Sequence, residues 1–203
     1  MIVNVAPLPG PDLTVADPPW AQDTGYAVTR GFKVRTPDKR KVLLPYPSMT
    51  LSAIAALPVA ELAERDAHLY LWTTQQYLHD SFHVAEAWGF RVVATLVWCK
   101  EPLGVKLGGA FGSSVEFVHF ARRGSLPTIG SVDRRWFQWP RKRGAPVRRG
   151  ERRTDGHSAK PEAFLDLVEQ VSPGPYLELF ARRQRLGWDT WGNEALNHVE
   201  IAS

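Results

Sequence analysis

A single cysteine, Cys99, stands among 203 residues, with only two methionines and no apolar run of membrane-spanning length. One thiol excludes an internal disulfide and any metal site built from several cysteines. A bilayer-crossing helix needs about 18 or more apolar residues in a row, so no such span is expected. The opening MIVNVAPLPG has no basic segment followed by a long apolar one, which argues against a secretory leader and for a cytoplasmic protein. No G-x-G-x-x-G, no internal repeat and no convincing cluster of metal ligands occurs.

What is present is ordinary for a globule: 44% hydrophobic and 23% charged residues. The length suits one domain over 1–203, able to bury a real core. Eight tryptophans exceed what such a core needs. A net charge of +4 and a pI near 9.4 point to a polyanionic partner, nucleic acid rather than membrane.

Periodicity predicts an α/β protein. LTVAD (13–17), HLYLWTT (68–74), FRVVATLVWCK (90–100), SVEFVHFARR (114–123) and YLELFA (176–181) read as strands. The run 90–100 is β-branched almost throughout, as in a strand buried on both faces, and makes Cys99 a small buried thiol. TLSAIAAL (50–57) reads as a helix capped by Ser48 or Thr50, and 77–89 as a helix stopped at Gly89. Pro161 opens a third helix whose stripe is Phe164, Leu167, Val168 and Val171. Residues 21–47 hold turn formers and charges with no sustained period, the mark of a long functional loop. In this class ligands bind at the carboxyl ends of strands.

One such end carries ADPPW, residues 16–20. Prolines cannot continue a ladder, and a tryptophan just past a strand should be partly exposed. Two readings stand side by side. In one, the stretch is a turn whose tryptophan packs on a neighbouring helix. In the other, the Asp17 carboxylate and the Pro18 and Pro19 carbonyls supply acceptors beside the flat face of Trp20. Acceptors next to an aromatic plate suit a heterocycle with an exocyclic amino group, such as an adenine flipped from a nucleic-acid strand.

DPPW at 17–20 resembles the catalytic tetrapeptide of the adenine N6-methyltransferases, specifically the eukaryotic mRNA N6-adenosine methyltransferase catalytic subunit and its bacterial and phage relatives. The likeness continues in order. LPYPSMTLSAIAAL is similar to the family's Y-x-T-M segment, LYLWTT to its L-F-L-W strand, and WGFRVVATLVWCK to its W-G segment and W-x-K strand. HSAKPEAFLDLVEQVSPGPYLELFARRQRLGWDTWGNE is similar to the C-terminal block, and coverage runs from about 13 to 195.

The resemblance implies a Rossmann-like, S-adenosylmethionine-dependent methyltransferase: a mostly parallel sheet flanked by helices, with the target-base motif first and the cofactor strand last. It implies that Asp17 and Pro18 hold the target amine, with Pro19 and Trp20 completing the catalytic motif. Tyr46 would lie near the active site. Asp17, Lys160, Glu178, Phe180, Arg182, Asn193 and Glu194 would contact the cofactor. Larger relatives grip the cofactor's adenine with a longer segment ahead of the first strand, so that contact must come from elsewhere. Taken alone, Lys160 could be a solvated residue at a helix start, Arg182 a surface arginine and His157 polar filler in a loop. Glu178 and the weaker candidate Glu116 are acids inside strands, and buried acids need partners.

The amine of adenine is a poor nucleophile, so acceptors that orient it are expected to matter more than outright deprotonation. A short tryptophan-rich chain favours DNA over RNA as substrate; a catalytically silent nucleic-acid-binding subunit is the contrasting reading, and a homodimer is a possible assembly. Residues 124–156 read as a basic nucleic-acid-binding loop. Its stretch 134–153 holds nine lysines and arginines against one acid, Glu151, too much like charge for a packed element. Arg141, Lys142 and Arg143 would meet phosphates, and Trp136 would stack on bases.

Overall fold

The computed structural model describes residues 10–21, 26–29, 32–35, 47–101, 114–140, 159–193, 195–199 and 201. In chain order the strands are β1 (Leu13–Ala16), β2 (Tyr26–Thr29), β3 (Phe32–Arg35), β4 (Ala67–Thr73), β5 (Arg91–Glu101), β6 (Val115–Arg123), β7 (Trp136–Pro140), β8 (Tyr176–Leu179) and β9 (Trp188–Trp191). The α-helices are α1 (Leu51–Ala55), α2 (Val59–Leu62), α3 (Asp80–Ala87) and α4 (Glu162–Val171). None of them is long and apolar enough to cross a membrane.

Seven strands form one sheet in the order β7-β5-β6-β4-β1-β8-β9. Only β6 runs against the rest, pairing antiparallel with β4 and β5 while the other four pairings are parallel. The expected mostly parallel, helix-flanked sheet is therefore present. All seven residues of β4 are buried because both faces of the sheet are covered there. On one face, Ile54 of α1, Val59 of α2 and Val84 of α3 pack on Leu69, Leu71, Leu177 and Leu179. On the other, Phe164, Leu165 and Val168 of α4 pack on Val15, Tyr70 and Trp72. The Trp72 and Phe164 rings meet edge-on at 4.7 Å. Each buried ring of this size contributes about 4–6 kcal/mol of transfer free energy as an upper estimate.

Local signals explain the helix ends. Thr50 caps α1 by accepting from the Ala53 N–H at 3.2 Å. After α3, Gly89 takes a φ of +81°, a left-handed stop that side chains with a Cβ resist.

Four expectations need correction. β5 is not buried on both faces: most of its residues, Cys99 among them, are only partly covered. One five-residue strand separates β5 from the sheet edge, which explains the incomplete cover. The basic stretch is not wholly unpacked, because Trp136–Pro140 joins the sheet beside β5 as β7. Proline is tolerated there because β7 is an edge strand. Within 21–47, where no strand was expected, β2 and β3 form an antiparallel hairpin. The α4 stripe is buried through Phe164, Leu165 and Val168, with Leu165 deeper than the expected Leu167.

Candidate active site

β1, β8 and β9 are parallel neighbours and end at the same edge, so the residues after them converge. The cleft between those ends is lined by Asp17 and Pro19 after β1, by Phe180 and Arg182 after β8, and by Gly192 and Asn193 after β9, with Pro47 and Met49 closing one side. Gly192 is required by close approach. A Cβ there would meet the Ala181 carbonyl oxygen at 2.2 Å. Phe180 sits at φ +62°, the only described non-glycine residue with positive φ. Such a backbone costs about 1–3 kcal/mol and persists where the surroundings enforce it. Its ring stands edge-on to Trp191 at 5.3 Å.

The prolines of the tetrapeptide turn the chain sharply. The Pro18 carbonyl accepts from the Trp20 N–H at 2.8 Å and the Pro19 carbonyl from the Met49 N–H at 3.0 Å. Each oxygen keeps a second lone pair. Trp20 departs from the expected partial exposure: it is 5% exposed. Its indole N–H donates to the Trp72 carbonyl at 3.0 Å, and its ring stacks on Tyr77 at 5.3 Å. A tryptophan beyond a strand end is buried here because that hydrogen bond and stack satisfy both its polar and apolar parts.

Asp17 points into a line of alternating charges. Lys160 Nζ lies 2.9 Å from Asp17 Oδ1 and 3.0 Å from Glu116 Oε2. Glu116 also pairs with Lys100. The ammonium of Lys160 sits 4.9 Å from the centre of the Trp72 ring. Burial pushes the Asp17 carboxyl up and Glu116 adds to this, against the pull of Lys160 and Arg182; it ends above the usual carboxylate range. Burial also opposes ionisation of Glu116, but Lys160 and Lys100 outweigh it and hold that carboxyl low. For Lys160 burial favours the neutral amine, yet Asp17 and Glu116 prevail and raise it. Two acids and two lysines thus compensate one another in a site mostly shielded from water.

Glu178 is different. It lies on β8, beside Val15 of β1 and Thr190 of β9. Among the described residues its Oε2 is buried with no hydrogen-bond partner. Burial drives its carboxyl up, Asp17 and Glu162 reinforce this, and Arg183 and Arg182 oppose it, leaving it at about 7.

Asp17, Pro19, Phe180, Arg182 and Asn193 are therefore brought to one cleft, with Lys160 held against Asp17. Trp136 is not. It is 55% exposed on β7, four strand spacings from β1, roughly 19 Å at about 4.8 Å per spacing. Tyr46, Arg141, Lys142, Arg143, His157 and Glu194 lie outside the described residues. Lys100, Trp72 and Met49 belong to the site without having been singled out. A lysine closing an apolar strand was the available signal for Lys100.

The MT-A70 family profile matches residues 11–194. The chain is 31% identical over 200 residues to the type II methyltransferase M.MunI of a Mycoplasma species, covering 92% of this chain and 78% of that protein. It is 27% identical over 208 residues to the human N(6)-adenine-specific methyltransferase METTL4, covering 94% of this chain and 38% of that one. It is 29% identical over 207 residues to the N6-methyladenosine RNA methyltransferase MTA1 of Pyricularia oryzae, covering 95% and 49% respectively.

Proposed function

The chain belongs to the MT-A70 family, and from that premise we propose that it transfers a methyl group from S-adenosylmethionine to the exocyclic N6 amine of adenine in DNA. The observation that carries this reading is Asp17, an acceptor held by Lys160 at the mouth of the cleft between β1, β8 and β9.

The donor set suits such a cofactor. Arg182 and Asn193 line the cleft and offer donors, and Glu178, on β8 behind that lining, carries a buried Oε2 unpartnered among the described residues, which would suit a polar ligand group. Arg182, Asn193, Glu178 and Phe180 would hold the cofactor, joined by Glu194. When bound, it supplies a methyl group activated by an adjacent sulfonium. Asp17 then accepts a hydrogen bond from the adenine amine, which turns the nitrogen lone pair out of the ring plane and meets the positive charge that develops there. Its carboxyl lies above the ordinary range, so it is a better proton acceptor than a solvated aspartate. Lys160 keeps Asp17 in place, bridging it to Glu116. Buried Trp20 supports the turn that aims Asp17 instead of offering an open stacking face.

The likeness to M.MunI favours DNA; the likeness to MTA1 supports a second reading with RNA adenosine as substrate. The basic segment with Arg141, Lys142 and Arg143 would grip phosphates in either case, and exposed Trp136 would stack on bases away from the target. The test is incubation with methyl-labelled S-adenosylmethionine and, separately, duplex DNA, single-stranded DNA and RNA, followed by digestion to nucleosides. Label in N6-methyldeoxyadenosine is the expected result. Label confined to RNA adenosine would establish the second reading, and no transfer to any of the three would refute both.

A further inference from the structure

At the opposite end of the sheet the molecule carries a second concentration of charge. Gly124 and Ser125 make the turn after β6, and around them Glu86, Gly89, Phe90, Arg91, Arg122 and Arg123 line an open hollow of about 800 Å³. Three arginines and one acid contribute to its walls, and Arg122 and Arg123, successive residues of β6, send their side chains to opposite faces of the sheet. Arg91 of β5 and Arg122 of β6 stand directly opposite in the antiparallel register. Like charges in that relation destabilise a sheet. Among the described residues neither pairs with a carboxylate. Arg122 donates to the Leu126 carbonyl and Arg123 to the Ala60 carbonyl, so both are positioned without losing their charge. The Arg91 side chain has no hydrogen-bond or ion-pair partner among the described residues. Of the nearby acids, Asp66 accepts from the Ser125 N–H and hydroxyl, and Glu86 lies 3.5 Å from the His83 ring.

A sheet that sets two arginines face to face on one side holds repulsion that a bound anion would relieve. We propose that the Arg91–Arg122 pair at this hollow is a second anion-binding site, taking a phosphate group of a nucleic-acid backbone. Guanidinium forks match phosphate oxygens in pairs, and the hollow is open enough to admit a phosphodiester. Arg122 is six residues along β6 from Glu116, roughly 20 Å at about 3.4 Å per residue, so this phosphate is not that of the target nucleotide. The choice of nucleic acid as the source of the phosphate rests on the proposed function; the anion site itself does not.

The test uses the full chain, its Arg91→Ala and Glu86→Gln variants, a labelled duplex of about 30 base pairs and, separately, inorganic pyrophosphate. Arg91→Ala should weaken duplex binding several-fold and flatten its logarithmic salt dependence by about one, the share of a single cation at a phosphate. Glu86→Gln should tighten binding, because it removes the one acid of the hollow. Arg91→Ala also removes cross-strand repulsion, so its melting temperature should not fall, which separates lost binding from misfolding. Pyrophosphate that raises the melting temperature of the parent but not of Arg91→Ala, with duplex binding unchanged, would keep the anion site and overturn nucleic acid as its source. Unchanged duplex binding together with unchanged pyrophosphate response would overturn the site. Methyl transfer is scored separately, so its absence would count against the proposed function and leave this result readable.

Discussion

Glu178→Gln isolates a single buried charge. In the unfolded chain a glutamate ionises near 4.5, whereas the folded protein keeps Glu178 protonated up to about 7, first because it is buried and then because Asp17 lies nearby. Between these values the native state binds more protons than the unfolded state, so stability from this group is greatest at or below pH 4.5. It declines as pH rises through 7 and is flat above. The gap corresponds to about 3 kcal/mol at about 1.4 kcal/mol per pH unit, an order-of-magnitude figure for a group that is largely shielded. Glutamine is neutral throughout. The variant should therefore match the parent near pH 4.5 and exceed it by about 3 kcal/mol at pH 8. Urea unfolding at a series of pH values, read at constant slope, measures the difference directly. A stability gap that does not change between pH 4.5 and 8 would refute the reasoning. The same charge should serve binding: cofactor affinity in the parent should rise toward pH 7, and calorimetry on Glu178→Gln should find it weaker and less pH-dependent.

Three further outcomes are expected. Asp17→Ala should abolish methyl transfer while cofactor affinity, measured by calorimetry, stays within a few-fold, since Asp17 is assigned to the target amine. Lys160→Met should destabilise the fold by about 3–5 kcal/mol in chemical denaturation, because Asp17 and Glu116 would face each other without the shared cation; a loss below 1 kcal/mol would show the cation to be dispensable. Trp20→Ala should lower stability by about 3–5 kcal/mol as a core truncation, visible in thermal unfolding without any substrate. Unchanged melting with impaired base binding would return Trp20 to the stacking role.

Much was legible from local pattern. β4 showed itself as an apolar run, α4 as a proline start followed by an apolar stripe, and the end of β1 as an acid and two prolines that no ladder could continue. These signals are short in range, since helix and strand periods and turn chemistry are set by residues a few positions apart. β7 was hidden because five strand residues sit inside a charge-dense stretch, and the strand exists through pairing with β5 rather than through its own pattern. The hairpin of β2 and β3 was equally hidden among turn formers.

The sequence by itself determined the class of fold, the place where chemistry would gather and most of the residues that meet there. Only the tertiary structure decided what those residues do to one another. The ion line joins positions 17, 160, 116 and 100, which lie just after β1, just before α4, on β6 and on β5. Trp20 finds its partners at positions 72 and 77 and so becomes core. The Arg91–Arg122 confrontation exists because β6 runs antiparallel between β4 and β5. Charge pairing and burial act through space over a few ångströms, and strand order, which no local propensity encodes, determines which distant residues come within that reach.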